Sequence, residues 1–136
     1  MSFLLDTNVV SEPRRHKPSA NVISWLREQE PDQLFLSALT LGEIAQGAEA
    51  RARRDAVAGR SLSMWLTSIR NRYSDRILPV TGDIAETWGR LGARRPLPVI
   101  DGLLAATALV HRLTLVTRNV RDFQGLDIPI FDPWQV

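Results

Sequence analysis

The strongest constraint in this chain is alternation. Five short apolar runs, Phe3–Leu5, Leu34–Leu36, Ile77–Val80, Thr114–Val116 and Ile128–Phe131, are separated for most of the chain by stretches with helical spacing. Leu41, Ile44, Ala45 and Ala48 recur at i, i+3, i+4 and i+7, and Leu62, Trp65, Leu66, Ile69 and Tyr73 carry the same spacing further. Ile84, Ala85, Trp88 and Leu91 mark another helix with Thr81 as its N-cap, and Val22, Ile23 and Leu26 mark one after Pro18 and Ser19. Pro96 and Pro98 interrupt the chain before a last helix from about Asp101 to His111, while 50–60 reads as a loosely packed helix end or a loop. Strands alternating with helices pair in parallel, because parallel neighbours need crossover connections that helices supply. The expected class is therefore α/β, a central parallel sheet of four to five strands flanked by helices on both sides. Trp25, Trp65 and Trp88 fall within helical patterns and read as core residues rather than platforms for stacked bases.

Composition narrows the chemistry. With 136 residues and 44% of them hydrophobic, the chain can bury one core, so residues 1–136 are expected to form a single domain. There is no cysteine, which removes disulfide scaffolds, thiolate zinc sites and thiol nucleophiles together. His16 and His111 are the only histidines, and neither is assigned a role, so catalysis must rest on carboxylates. Asp6 arrives before an apolar leader could form, and no apolar run approaches the ~20 residues of a membrane span, so a cytoplasmic protein without a membrane partner is expected. Formal net charge is only +2, yet 51–76 holds seven arginines against two aspartates. Sixteen of the seventeen basic residues are arginine, which suits phosphate contacts but also fits a solvated helix face or a compositional bias.

Open parallel sheets bind ligands outside the carboxyl ends of their strands. Asp6 directly follows the first strand, with Thr7 and Asn8 beside it, and Thr117, Asn119 and Asp122 follow the fourth. A helix running antiparallel to the strand it precedes starts near the same edge, which brings Asp101 towards Asp6; Glu43 lies early in the helix after the second strand. Carboxylates gathered on one rim repel one another and raise one another's pKa unless a cation neutralises them. Hard oxygen ligands select Mg²⁺ or Mn²⁺, and such an ion activates water and neutralises charge on a phosphodiester. Each acid also has a purely structural reading. Asp6 and Asp101 could be helix N-caps, Thr40 and Glu43 fit a capping box, and Asp122 could be a turn acid.

Phe3-Leu-Leu-Asp6-Thr7-Asn8, Thr40-x-x-Glu43, Ile100-Asp101-Gly-Leu-Leu-Ala-Ala-Thr107 and Leu115-Val-Thr117-Arg-Asn119-Val-Arg-Asp122-Phe123 occur in this order across nearly the whole chain. Together they resemble the PIN domain of VapC-type toxins, including its FitB-like branch. The resemblance implies a PIN-like fold, Mg²⁺- or Mn²⁺-dependent endoribonuclease activity on an RNA substrate, and neutralisation by a cognate antitoxin protein. It also implies a homodimer and a toxin–antitoxin hetero-oligomer. By position, Asp6, Glu43 and Asp101 correspond to the family's acidic metal-site residues. Asn119 stands where many PIN domains carry a fourth Asp, with Asp122 three residues on. Thr7, Asn8 and Thr117 correspond to groups that orient carboxylates or water. Expected cleavage products carry 5′-phosphate and 3′-hydroxyl ends, since water is the nucleophile. The alternative is a degenerate PIN module that binds RNA or a partner without cutting, which Asn119 favours. A receiver-like domain or an Asp-x-Asp phosphatase fails at Thr7 and Asn8, where a second acid is required.

Overall fold

In the computed structural model, which describes residues 1–135, five parallel strands form a single sheet: β1 (Phe3–Leu5), β2 (Leu34–Ser37), β3 (Ile77–Leu78), β4 (Thr114–Val116) and β5 (Ile130–Phe131), in the order β3-β2-β1-β4-β5. The helices are α1 (Thr7–Ser11), α2 (Ala20–Glu28), α3 (Ala38–Ala52), α4 (Ala56–Arg72), α5 (Gly82–Arg94) and α6 (Val99–His111). The expected α/β class and parallel sheet are thus what the chain forms. β1 is central, with Phe3 opposite Leu34 on one side and Thr114 on the other. Beyond β1 the chain builds outwards through β2 and β3, and beyond β4 through β5, so the direction of winding switches between β1 and β4.

Side chains alternate across a strand with period two, and the core follows that rule. Phe3, Leu5, Leu34, Leu36 and Val116 enter one apolar layer with Val9, Val22, Trp25, Ile69 and Tyr73 of the α1–α4 side. Leu4 and Leu115 enter the other, with Ile84, Leu91, Leu104 and Phe123 of the α5–α6 side. Leu4, Leu5 and Leu115 are fully buried, as expected of a central strand covered on both faces. Burying one such side chain is worth about 2 kcal/mol.

Several boundaries differ from expectation for local reasons. β3 stops at Leu78, before Pro79, and β5 starts at Ile130 rather than at residue 128, because Pro129 has no N–H for the ladder. Residues 50–60 hold the end of α3, a turn and the start of α4, mostly exposed as expected, with one tight contact. α3 continues to Ala52, a short turn follows, and Asp55 caps α4 by accepting from the Ala58 N–H at 3.1 Å. The two helices cross so closely that a Cβ on Gly59 would lie 2.5 Å from both Cα and Cβ of Ala52. Trp25 is core, edge-on to Phe3 with ring centres 5.0 Å apart, and Trp65 is partly buried. Trp88 departs from the core expectation. It is 37% exposed and lies across Gly102, where a Cβ would meet its ring carbon at 2.8 Å. Thr81 caps α5 through its hydroxyl as the sequence implies, and Ser19 caps α2 in the same way. Among the described residues no helix is long and apolar enough to cross a membrane.

Candidate metal centre

The carboxyl end of β1 delivers Asp6 to the point where the winding switches. Its N–H is bonded to the Val116 carbonyl of β4 at 2.9 Å, so the backbone itself fixes the residue between the two central strands. One carboxylate oxygen accepts from the Thr7 N–H at 2.7 Å, and the other accepts from the Thr117 hydroxyl at 2.8 Å. The capping role expected of Asp6 is therefore real, and it accounts for only one of the two oxygens. Asp6 is 7% exposed. Burial pushes its carboxyl above the usual range, against the two hydrogen bonds, and the negative charges of Glu43 and Asp101 push the same way.

Glu43 reaches this point from α3, though not as the partner in a capping box. The helix starts at Ala38 and is capped by Ser37, whose hydroxyl accepts from the Leu39 N–H at 3.0 Å. Thr40 and Glu43 consequently lie inside the helix, one turn apart, and meet Thr7 of α1 instead. The Thr7 hydroxyl is 2.6 Å from the Glu43 carboxylate and 3.1 Å from the Thr40 hydroxyl. A carboxylate only accepts, so Thr7 donates to Glu43 and Thr40 donates to Thr7. Thr40, fully buried, therefore belongs to the frame of the site. Its spacing to Glu43 had a simpler explanation in sequence.

Asp101 is the third residue of α6, whose N-cap position is held by Pro98 without a side-chain bond. The N-cap reading of Asp101 is thus wrong, because the helix starts two residues before it. Its carboxyl is raised above the usual range by partial burial, by Asp122 and by Glu43, and no hydrogen bond offsets the effect. Asn119 stands at the N-cap position before the 3-10 turn Val120–Phe123 that follows β4, Asp122 lies on that turn, and both are exposed. Thr117 accepts from the Asn119 N–H at 3.0 Å while donating to Asp6. Phe123, fully buried, pins the turn from below, and Arg95 donates to the Asp122 carbonyl at 2.9 Å and to that of Gln124. Nothing in the spacing of the chain pointed to Arg95. Nor did it point to Glu12, a buried acid that accepts from the Ser19 N–H at 2.7 Å and fixes the start of α2.

Four carboxylates thus act on one another from four separate segments. Among the described residues no three acidic or imidazole side chains close tightly enough to enclose an ion by themselves. The donor set still fits a hard divalent cation, because Mg²⁺ keeps several waters and takes few protein carboxylates. Two residues after Asp6, the buried Oδ1 of Asn8, a neutral oxygen of the type such a cation takes, has no hydrogen-bond partner among the described residues. By contrast, a cavity of about 560 Å³ near the opposite edge of the sheet, lined in part by Pro31, Leu34 and Tyr73, contains no carboxylate.

Comparison with known proteins identifies the fold and the family. The family model described as PIN domain matches residues 3–128. The chain is 33% identical over 139 residues to Toxin FitB of Neisseria gonorrhoeae, covering 97% of this chain and 98% of that protein. It superposes on a chain of the crystal structure of FitAcB from the same organism with a TM-score of 0.90 at 32% identity, covering 98% of this chain and 99% of the other. A VapC ribonuclease of Sinorhizobium fredii is 28% identical, with 98% of each chain covered. A toxin-antitoxin complex from Klebsiella pneumoniae contains a chain of similar fold, with a TM-score of 0.72 at 28% identity over 97% of this chain and 98% of the other.

Proposed function

The chain belongs to the PIN-domain family, in its VapC-type, FitB-like branch, and from that premise we propose that it is a Mg²⁺- or Mn²⁺-dependent endoribonuclease, the toxin of a type II toxin–antitoxin pair. The observation that carries the proposal is the buried carboxylate of Asp6, held between β1 and β4 within the electrostatic reach of Glu43 and Asp101. Asp6, Asp101 and Glu43 would hold the cation, with Asn119 or Asp122 completing the rim. When bound, the cation supplies an activated water and neutralises charge on the phosphodiester. Asp6 gives a fixed anchor because both of its oxygens are already oriented. Glu43, aligned by Thr7 through one oxygen, would use the other to hold the cation or to orient water. Asp122 is exposed and Asp101 only partly buried, so both would adjust to what enters.

Relatives crystallised as toxin–antitoxin complexes support a cognate antitoxin as the physiological partner. An arginine from that partner would pair bidentately with the carboxylates and replace the positive charge of the ion, so Mg²⁺ and antitoxin compete for one rim. The test is cleavage of RNA by the purified protein with Mg²⁺, with Mn²⁺ and with EDTA, followed by end analysis. Metal-dependent products with 5′-phosphate and 3′-hydroxyl ends support the proposal. Undiminished cleavage in EDTA, or RNA binding without cleavage under every metal condition, overturns it, the second result establishing the non-cleaving reading that Asn119 favours.

A further inference from the structure

Two elements of the metal centre lead away from it to the same place. With a rise of 1.5 Å per residue, Ser11 at the end of α1 lies about 8 Å from Asp6, and Arg51 near the end of α3 about 12 Å from Glu43. There the chain opens a cleft between the 3-10 turn Glu12–Arg14 and α4, formed by adjoining cavities of about 320 and 500 Å³ that share Arg14 and Ser61. Arg14, Arg15, Arg51 and Arg60 line it, and no carboxylate is among the lining residues. Arg14 is already ordered. Its guanidinium donates to the Ser61 hydroxyl at 3.2 Å and lies over the Trp65 ring, 5.1 Å from its centre. Arg15 is drawn partly to Glu12 at 3.8 Å, whereas Arg51 and Arg60 are exposed and make no ion pair among the described residues.

Resting on the ribonuclease reading, we infer that this cleft binds the sugar–phosphate backbone of the RNA a few nucleotides from the scissile phosphate. Arg14, Arg51 and Arg60, with no carboxylate lining the cleft and only Arg15 drawn to Glu12, repel one another and are stabilised by phosphates, which guanidinium groups bind bidentately. Such contacts position a strand without reading its sequence. The side-chain order of Arg14 is present before the strand arrives, so less conformational entropy is lost on binding. The cleft and the carboxylate rim then divide the work. The basic cleft holds the strand while the acidic rim, a helix length away, acts on one phosphodiester.

The test is equilibrium binding of a labelled, short single-stranded RNA of mixed sequence to the Asp101→Asn protein with Mg²⁺ present, read by fluorescence anisotropy over a range of salt concentrations. In that background, Arg14→Ala and Arg60→Gln are each expected to lower the slope of log K against log salt by about 0.7, the value of one phosphate contact on a single strand. Arg90→Ala is the control, since Arg90 lies on α5 and pairs with Glu86 at 3.5 Å; its slope should match that of the parent. Circular dichroism checks folding, and if Arg14→Ala unfolds, Arg60→Gln and Arg51→Gln decide. Unchanged slopes in the cleft variants, an equal drop in Arg90→Ala, or no RNA binding at all overturns the inference. So does weakened antitoxin binding with unchanged RNA slopes, which would assign the cleft to the antitoxin. Cleavage of the same RNA by the wild-type protein is measured separately, so the ribonuclease reading and the binding cleft can fail independently.

Discussion

The two sides of the carboxylate rim are built differently. On one side Asp6 and Glu43 are held by four hydrogen-bonding groups, the Thr7 N–H and hydroxyl, the Thr117 hydroxyl and, through Thr7, the Thr40 hydroxyl. On the other, Asp101 has no hydrogen bond among the described residues to hold its charge, and Asp122 is exposed on a turn secured through its backbone and Phe123. The first side has its orientation fixed by the fold. The second keeps uncompensated charge that a ligand must satisfy. The site thus combines a rigid reference point with a responsive wall, and the responsive wall is the half whose occupancy a cation or a competing arginine can change.

The comparison is most severely tested by neutralising one acid from each side. Asp6→Asn and Asp101→Asn should both reduce RNA cleavage by more than the roughly 100-fold that loss of an outer orienting group costs. They should separate in stability. Asp6→Asn replaces one of the two acceptor oxygens by an amide NH2, so one of the bonds from Thr7 and Thr117 is lost at a cost of about 1 kcal/mol, which urea unfolding should show against the relief of its buried charge. Asp101→Asn removes only repulsion and should not destabilise the metal-free chain. Equal stability losses in the two variants would show that the sides do not differ. Next in size is Thr7→Val, expected to lower cleavage by about 10- to 100-fold by releasing Glu43, with Thr7→Ser near wild type. Rates measured against Mg²⁺ concentration check this.

A smaller effect follows from the raised carboxyls of Asp6 and Asp101. Between the ordinary carboxylate range and their raised values the folded chain holds more protons than the unfolded one. Stability from these two groups is therefore greatest at low pH and falls as pH rises through that window. Melting temperatures of the metal-free protein should show this component, Mg²⁺ should offset it at neutral pH, and Asp101→Asn should diminish it. The smallest effect concerns the turn after β4. Because Asp122 acts on Asp101, Asp122→Asn should weaken Mg²⁺ affinity a few-fold and Asn119→Ala less, as isothermal titration would resolve. The reverse order would make Asn119 the oxygen that faces the ion.

What the sequence made legible is what strand periodicity controls. Asp6 and Asn119 are read as edge residues because a parallel sheet exposes its carboxyl ends, and Asp101 because the helix preceding a strand must return to that edge. The frame behind them was hidden by local mimicry. Thr40 and Glu43 have the spacing of a capping box, but Ser37 caps the helix three residues earlier, which turns both side chains towards Thr7. Asp101 looked like a cap because helix starts favour Asp, yet Pro98 starts that helix. Arg95 and Glu12 were invisible for another reason. Each bonds a backbone group outside any regular local spacing, Arg95 across 27 residues and Glu12 across seven.

The central place of β1 has a consequence for biosynthesis. Its hydrogen-bonded neighbour β4 begins at Thr114, and Asp6 receives its hydroxyl donor from Thr117, 111 residues away. A nascent chain that has not yet emerged beyond residue 117 has neither the strand nor the hydroxyl that secures Asp6. Contacts of such sequence separation form late in folding, after long loops have closed. The carboxylate rim is consequently completed only after synthesis has passed Thr117, and a product interrupted earlier lacks the anchored half of the centre.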